Sequence, residues 1–124
     1  RQQGAWRYVT SVFSPSLPLL TESSVRREIA VLVGVQTPDT TSADLREALD
    51  ELELLADTAG ADTAARVTQN LPRIQSATYV GKGKVEEIER AVDRAGADLV
   101  IVDDDLTPTQ VRNLERALGQ NKRE

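Results

Sequence analysis

The sequence contains no histidine, no cysteine and no methionine among its 124 residues. Without histidine and cysteine, the chain cannot build a zinc finger, a thiol nucleophile, a serine triad with an imidazole base or a disulfide framework. Any chemistry must therefore use carboxylates, hydroxyls, lysines or the backbone. Because the chain begins at Arg1 rather than at methionine, we interpret its ends as cut, with residues 120–124 as a C-terminal tail at a truncation point.

Long apolar runs are also absent. No stretch reaches the roughly 18 to 20 residues that a membrane span needs, and nothing resembles a signal peptide with its charged flank. We therefore expect a cytoplasmic domain with no membrane partner. A chain of 124 residues suits one compact core, because a domain of this size buries roughly two thirds of the surface that its unfolded form exposes.

Basic residues are not in excess, since the formal net charge is −5. Domains that coat nucleic acid by bulk attraction are usually basic. The acidic excess is local, however, because residues 43–59 hold one arginine, Arg46, against six carboxylates. These are Asp44, Glu47, Asp50, Glu51, Glu53 and Asp57. We interpret this acidic helix as a solvated face, and the balanced remainder of the chain is compatible with a basic face elsewhere.

Aromatic residues are few, and three of the four lie in residues 1–24, at Trp6, Tyr8 and Phe13. This segment has no regular period and is rich in serine and threonine, so we interpret it as an N-terminal arm rather than a core element. Disordered tails are usually poor in aromatic residues. We therefore expect the arm to dock either on its own domain or on a neighbouring molecule.

Residues 25–119 alternate between apolar strands and amphipathic helices, and we interpret them as one domain. The continuous run from Ile29 to Val35 is typical of a strand covered on both faces. Clear strands are predicted near 29–35, 64–68 and 98–102, with a short fourth at 78–80. Because parallel neighbours need crossover connections, we predict an α/β fold, a small mostly parallel sheet of about four strands with helices packed on its faces.

Capping signals place the ends of the helices between these strands. Ser42 is the predicted N-cap of the first helix. The third begins with the letters TPTQ, in which Thr107 caps, Pro108 takes the first helical position and Gln110 closes a capping box. The segment QNLPRIQSA at 69–77 is too short and too interrupted by proline for a helix.

The letters YVGKGKVEE at 79–87 place two glycines and two lysines where a strand ends and a helix opens, and free backbone N–H groups there attract anions. No phosphate motif is complete. Glu86 stands where a dinucleotide fingerprint needs a small residue, and Val85 where a GTPase phosphate loop needs serine or threonine. Two interpretations stay open, a glycine-rich turn with solvated lysines and a phosphate contact. The candidate residues are Gly81, Lys82, Gly83 and Lys84.

Other charged residues could join such a site. Four arginines could join Lys82 and Lys84 on a basic surface if their loops lie together, namely Arg66, Arg73, Arg112 and Arg116. Asp103 and Asp104 follow a strand at the edge where open α/β sheets bind ligands, so they are weak candidates for holding Mg²⁺. The favoured interpretation of these carboxylates is a polar loop that leads into a capped helix.

Two stretches of the sequence resemble the N-terminal domain of the HflX family of ribosome-associated GTPases. Thr78–Lys84 is similar to the pattern Y-[IV]-G-x-G-K, and Asp103–Gly119 to the pattern L-[ST]-P-x-Q-x-R-N-L. In the second pattern the matching residues are Leu106, Pro108, Gln110, Arg112, Asn113 and Leu114. The resemblance runs from about Ile29 to Gly119.

This resemblance implies an α/β domain that precedes a helical hairpin and a GTPase domain in a protein that separates or rescues stalled ribosomes. It implies that the domain binds ribosomal RNA on the large subunit and regulates the GTPase domain, without catalysis of its own. The RNA- or phosphate-binding residues would be Gly81, Lys82, Gly83, Lys84, Arg73 and Arg112. GTP and Mg²⁺ are expected only in the GTPase domain, whose phosphate loop does not occur in these 124 residues.

Two alternatives to this interpretation remain at the level of the sequence. The loop from Gly81 to Lys84 could make the domain an independent binder of ATP or GTP. The chain could instead be a self-associating module, through the N-terminal arm or through an open edge of its sheet.

Overall fold

The computed structural model describes residues 8–11 and 27–120, with strands and helices in alternation. The elements in chain order are β1 (Tyr8–Ser11), β2 (Glu28–Gln36), α1 (Ser42–Thr58), β3 (Ala61–Asn70), α2 (Lys82–Ala95), β4 (Leu99–Val102) and α3 (Pro108–Gln120). This order confirms the predicted α/β class. None of the described helices is long and apolar enough to cross a membrane.

All four strands run parallel, in the spatial order β1-β4-β2-β3. The strands β2, β3 and β4 correspond to the three clear strands of the prediction. The predicted fourth strand at 78–80 is wrong, because Tyr79 makes only an isolated antiparallel bridge to Gln75. Its backbone has φ 71°, a turn conformation that cannot continue a strand.

The fourth strand is β1, which lies within the predicted N-terminal arm. Its backbone pairs with β4 in the register Tyr8 to Leu99 through Ser11 to Val102. Trp6 and Phe13 lie outside the described residues. The division of the chain into an arm, a domain and a tail stays a prediction.

The sheet separates two apolar layers, because alternate residues of a strand point to opposite faces. On one face α1 covers a cluster of buried residues formed by Ala30, Leu32, Leu49, Leu52, Ala56, Ala61, Leu99 and Ile101. On the other face α2 and α3 cover a larger cluster that includes Val31, Val33, Val67, Val100, Val102, Ile88, Val92 and Leu114. β4 is buried along its whole length, as expected for a central strand with both faces covered.

The ends of the helices follow their capping residues. The N-cap of α1 is Thr41 and not Ser42, because the Thr41 hydroxyl accepts from the Asp44 amide while the Asp44 carboxylate accepts from the Thr41 amide. α3 has the predicted box, in which Thr107 and Gln110 exchange the equivalent bonds at 3.0 Å. α2 ends at Gly96 with φ 65°, the left-handed conformation that favours glycine.

Candidate functional site

The loop 71–81, which joins β3 to α2, is fastened to the start of α3 by two side-chain amides. Gln110 Nε2 donates to the Gln75 carbonyl at 3.0 Å, and Asn113 Nδ2 donates to the Ala77 carbonyl at 3.1 Å. Gln110 therefore serves both the cap of α3 and this loop. Sequence reasoning found the cap and missed the anchoring, although both amides stand in the motif that resembles the family.

Tyr79 is the central anchor of the same loop. Its side chain is only 3% exposed, and its hydroxyl donates to Asp104 Oδ2 at 2.8 Å. Burial, helped by the Asp104 hydrogen bond, raises the pKa of the Tyr79 hydroxyl above its usual value, so the hydroxyl stays protonated and remains a donor. The positive φ at this tyrosine is an uncommon conformation, which the surrounding bonds hold in place.

Gly81 is the N-cap of α2 and contributes no side chain to the cap. Its amide donates to Gln69 Oε1 at 3.1 Å, and its carbonyl accepts from the amides of Lys84 and Val85. Within the described residues, the amides of Lys82 and Gly83 donate to no protein acceptor. A Cβ at Gly83 would meet nothing within 4 Å, so the first turn of α2 is open to solvent beside these amides.

The two candidate lysines have different surroundings. Lys84 Nζ lies 2.7 Å from Glu87 Oε1, and the Lys84 side chain is only 21% exposed. This hydrogen-bonded pair lowers the pKa of Glu87. Lys82 is exposed and has no ion pair within the part of the chain that the structure describes. The structure therefore leaves Lys82 free for a ligand and commits Lys84 to an internal contact.

The candidate arginines Arg73 and Arg112 lie in the loop itself and on α3, to which the loop is fastened. Arg73 is exposed in the loop itself, and Arg112 is exposed on α3, next to the anchoring Asn113. By contrast, Arg66 Nη2 in β3 lies 2.7 Å from Asp50 Oδ1 and 2.8 Å from Glu53 Oε1, so its charge is paired with carboxylates of α1. The basic candidates other than Arg66 are thus carried by the loop, the start of α2 and α3.

The Asp104 carboxylate holds the loop after β4, and Asp103 is half-buried in the same loop. Asp104 accepts from the Tyr79 hydroxyl and, at 2.8 Å, from the Asp105 amide. Burial raises the pKa of the Asp103 carboxyl, and the charges of Asp104 and Glu51 add to this effect. Among the residues that the structure describes, no group of three or more acidic side chains is placed to hold a metal ion.

The domain thus combines a parallel sheet with a glycine-lysine loop that side-chain amides of α3 hold in place. Comparison with known proteins identifies the class of domain. The sequence profile of the family described as GTP-binding GTPase N-terminal matches residues 46–121, and the chain belongs to that family. More particularly, it is an N-terminal domain of the HflX type.

Three relatives illustrate the match, and each is named GTPase HflX. That of Caldanaerobacter subterraneus subsp. tengcongensis is 47% identical over 93 residues, that of Lacrimispora saccharolytica 47% over 91, and that of Escherichia coli 39% over 90. The matches cover 75%, 73% and 72% of this chain but only 21%, 21% and 20% of the relatives. The chain thus spans about a fifth of the length of these relatives.

Proposed function

We propose that this chain is the non-catalytic N-terminal domain of an HflX-like GTPase. In this proposal it binds the large ribosomal subunit through ribosomal RNA and regulates an attached GTPase domain in ribosome splitting or rescue. Family membership supports the attachment to a GTPase domain, because the relatives are named GTPases and extend well beyond the matched region. The start of α2 supports the proposed contact with RNA.

One observation carries the proposal, namely the open first turn of α2. The exposed ammonium of Lys82 stands beside two backbone amides, of Lys82 and Gly83, that have no acceptor within the described residues. Amides and the positive end of the dipole at a helix N-terminus bind phosphate groups. Backbone amides, lysine and helix N-termini are also the groups that contact nucleic-acid phosphates. The absence of a Cβ at Gly83 permits a phosphate to approach the backbone closely.

The distribution of charge supports one orientation on a polyanion. The acidic residues of α1 lie on one face of the sheet, whereas α2 and α3 pack on the other face. Arg73 and Arg112 are exposed on the elements that are joined to the start of α2. α2 itself carries four basic and four acidic residues, so the α2 and α3 side is close to neutral. A polyanion would contact the exposed basic groups of that side and be repelled on the α1 side.

The proposal places catalysis outside this chain. The sequence contains no GTPase phosphate loop, and Asp104 is occupied by protein donors. GTP and Mg²⁺ would accordingly bind in the attached GTPase domain. Regulation would act through contacts between the two domains.

Cosedimentation of the chain with purified large subunits tests this proposal. The change Lys82→Glu should weaken binding several-fold and reduce the slope of log K against log salt by about 1, because one phosphate contact is lost. The matched control is Arg46→Glu, the same reversal at an exposed site on the acidic helix α1, which should change binding little.

Two results would contradict the proposal. The first is equal loss of binding in both variants, which would indicate bulk charge rather than a site. The second is binding that is indifferent to salt and to Lys82→Glu. Calorimetry with ATP and GTP addresses the alternative of an independent nucleotide site, because saturable heat at millimolar nucleotide without subunit binding would favour that alternative.

A further inference from the structure

One of the two edges of the sheet is formed by β3, which is the longest strand of the described chain. β3 runs over ten residues, Ala61–Asn70, and pairs with β2 on one side. On its other side no strand lies within the described residues. The N–H and C=O groups that point away from β2 are therefore available to another strand.

An acidic groove of about 470 Å³ follows this edge on the α1 face. Its lining includes four carboxylates, those of Asp50, Glu53, Asp57 and Asp62. Within the described residues two arginines are paired with them, Arg66 and Arg27, so the described lining keeps a net negative charge. The Thr63 hydroxyl is buried in the groove lining without a hydrogen-bond partner, and Leu54 stands beside it 66% exposed.

An apolar groove of about 490 Å³ follows the same edge on the opposite face, between β3 and α2. It is lined by the small apolar side chains of Ala64, Ala65, Ala91 and Ala95, together with Ile29, and by the charged residues Asp62 and Arg94. Because these alanines are short, the groove has depth for branched apolar side chains. Asp62 borders both grooves, so the edge strand itself separates an acidic depression from an apolar one.

We propose that β3 accepts an added strand from a partner protein, in which basic side chains alternate with apolar ones. Successive side chains of a strand point to opposite faces of the sheet. An added strand would therefore place every second residue over the acidic groove and the residues between them over the apolar groove. Main-chain bonds to an edge supply affinity in this mode of recognition, and the pockets on the two faces supply specificity.

A β-bulge sets the position of the added strand. Ala30 pairs with Thr63 and Val31 with Ala65, which leaves Ala64 as the extra residue of β3. Bulges interrupt an edge and discourage unspecific pairing. The regular part of the edge is thus Ala65–Asn70, which has an ordinary length for a strand. The added strand would pair along this part and extend towards Ala61, between the two grooves.

The test uses two synthetic peptides of equal composition and the intact chain. One peptide alternates lysine and valine over ten residues, and the other holds the lysines and the valines in separate blocks. Titration followed by amide NMR should give saturable shifts along Ala61–Asn70 with the alternating peptide. Binding of the block peptide should be at least about tenfold weaker.

Matched variants of the chain separate the edge from bulk charge. Ala95→Gln fills the apolar groove with a good helix former and should weaken the alternating peptide about tenfold. Ala43→Gln makes the same change at an exposed position of α1 outside both grooves and should leave the affinity unchanged. Equal affinity for the two peptides, or shifts confined to other elements, would overturn the proposal. So would a dimer that Ala95→Gln dissociates, since the occupant of the edge would then be a second copy of this chain.

Discussion

At the scale of single residues, Tyr79 determines the geometry of the candidate site. A non-glycine residue with φ 71° costs roughly 1–3 kcal/mol, which other contacts must offset. The buried ring and the bond to Asp104 supply such contacts. The strained residue lies two positions before Gly81 and therefore sets the direction in which α2 begins.

Removal of the Tyr79 hydroxyl should destabilise the domain measurably. In Tyr79→Phe the ring remains and Asp104 loses the hydrogen bond from the Tyr79 hydroxyl. We therefore expect the free energy of unfolding to fall by about 1 kcal/mol. The midpoint of thermal unfolding should drop by about 4–8 °C. Asp104→Asn keeps one acceptor oxygen for two donors, the Tyr79 hydroxyl and the Asp105 amide, and should cost at least as much. A Tyr79→Phe protein as stable as the parent would show that the bond contributes nothing.

The Asp103 carboxyl should respond to pH in the opposite direction to a salt-bridged carboxylate. Its pKa is raised in the folded protein, first by burial and then by Asp104 and Glu51, so the native state disfavours its charged form. Its contribution to stability is present below the unfolded pKa, near 3.8, and is lost as the pH rises through the folded pKa. Asp103→Asn should therefore raise the stability at pH 7, by at most about 0.5 kcal/mol because the side chain is half-exposed.

Urea unfolding of the Asp103→Asn variant at pH 7 and near pH 3.5 checks this prediction. The gain over the parent should shrink on acidification, because the parent carboxyl becomes protonated. Asp105→Asn, in the same loop but exposed, serves as the control and should show no such trend. A gain that grows as the pH falls would contradict the sign of the effect.

At the scale of elements, two glycines differ in what a side chain would meet. A Cβ at Gly34 in β2 would lie 2.8 Å from a Leu45 methyl, whereas a Cβ at Gly83 in α2 would meet nothing. Neither residue has a positive φ. A side chain at Gly34 would thus displace Leu45 in the packing of α1 on the sheet, whereas a side chain at Gly83 would displace nothing.

The two alanine substitutions should therefore have opposite effects. Gly34→Ala should cost about 1–3 kcal/mol, towards the lower end because the half-exposed Leu45 can move. Gly83→Ala should stabilise α2 by up to about 0.8 kcal/mol and yet weaken binding to large ribosomal subunits, if a phosphate approaches this turn. Thermal unfolding and cosedimentation measure the two quantities. A Gly83→Ala protein that gains stability and binds large subunits as well as the parent would show that binding does not require glycine at this position.

The elements also explain what the sequence could and could not predict. The strands β2, β3 and β4 and the caps of α3 follow from local patterns, namely apolar runs and the letters TPTQ. The turn at Tyr79 has no local signal, because a tyrosine in an apolar stretch reads as a strand, and its positive φ depends on Asp104, 25 positions away. For Lys84 and Glu87 the sequence shows only that they are three positions apart on a helix, a spacing at which an ion pair can form. The structure shows that the pair forms.

At the scale of the whole molecule, β1 completes the sheet beside its most buried strand. β4 is covered on both faces and paired on both sides, by β2 and by β1. α3 lies against β1 as well as against α2. Loss of β1 would therefore move this edge of the sheet from β1 to β4, a strand that is buried along its whole length.

A chain that begins near Ser23 should show the consequence of this exposure. We expect a lower midpoint of thermal unfolding and a mass in light scattering that rises with concentration, since an uncovered edge invites pairing between molecules. Removal of residues 1–5, which keeps β1, is the control and should change neither quantity. The alternative of self-association through the arm predicts the reverse, a mass that falls when the arm is removed.

The strand order also has a consequence for synthesis. β4 is the last of the described strands in the sequence, yet it lies between the two earliest of them. A nascent chain can therefore assemble only the β2–β3 pair before Val102 leaves the exit tunnel, and Tyr8–Ser11 must wait for a neighbour that does not yet exist. Such distant pairing slows folding, so β1, the earliest of the described strands, can pair only after β4 has been made.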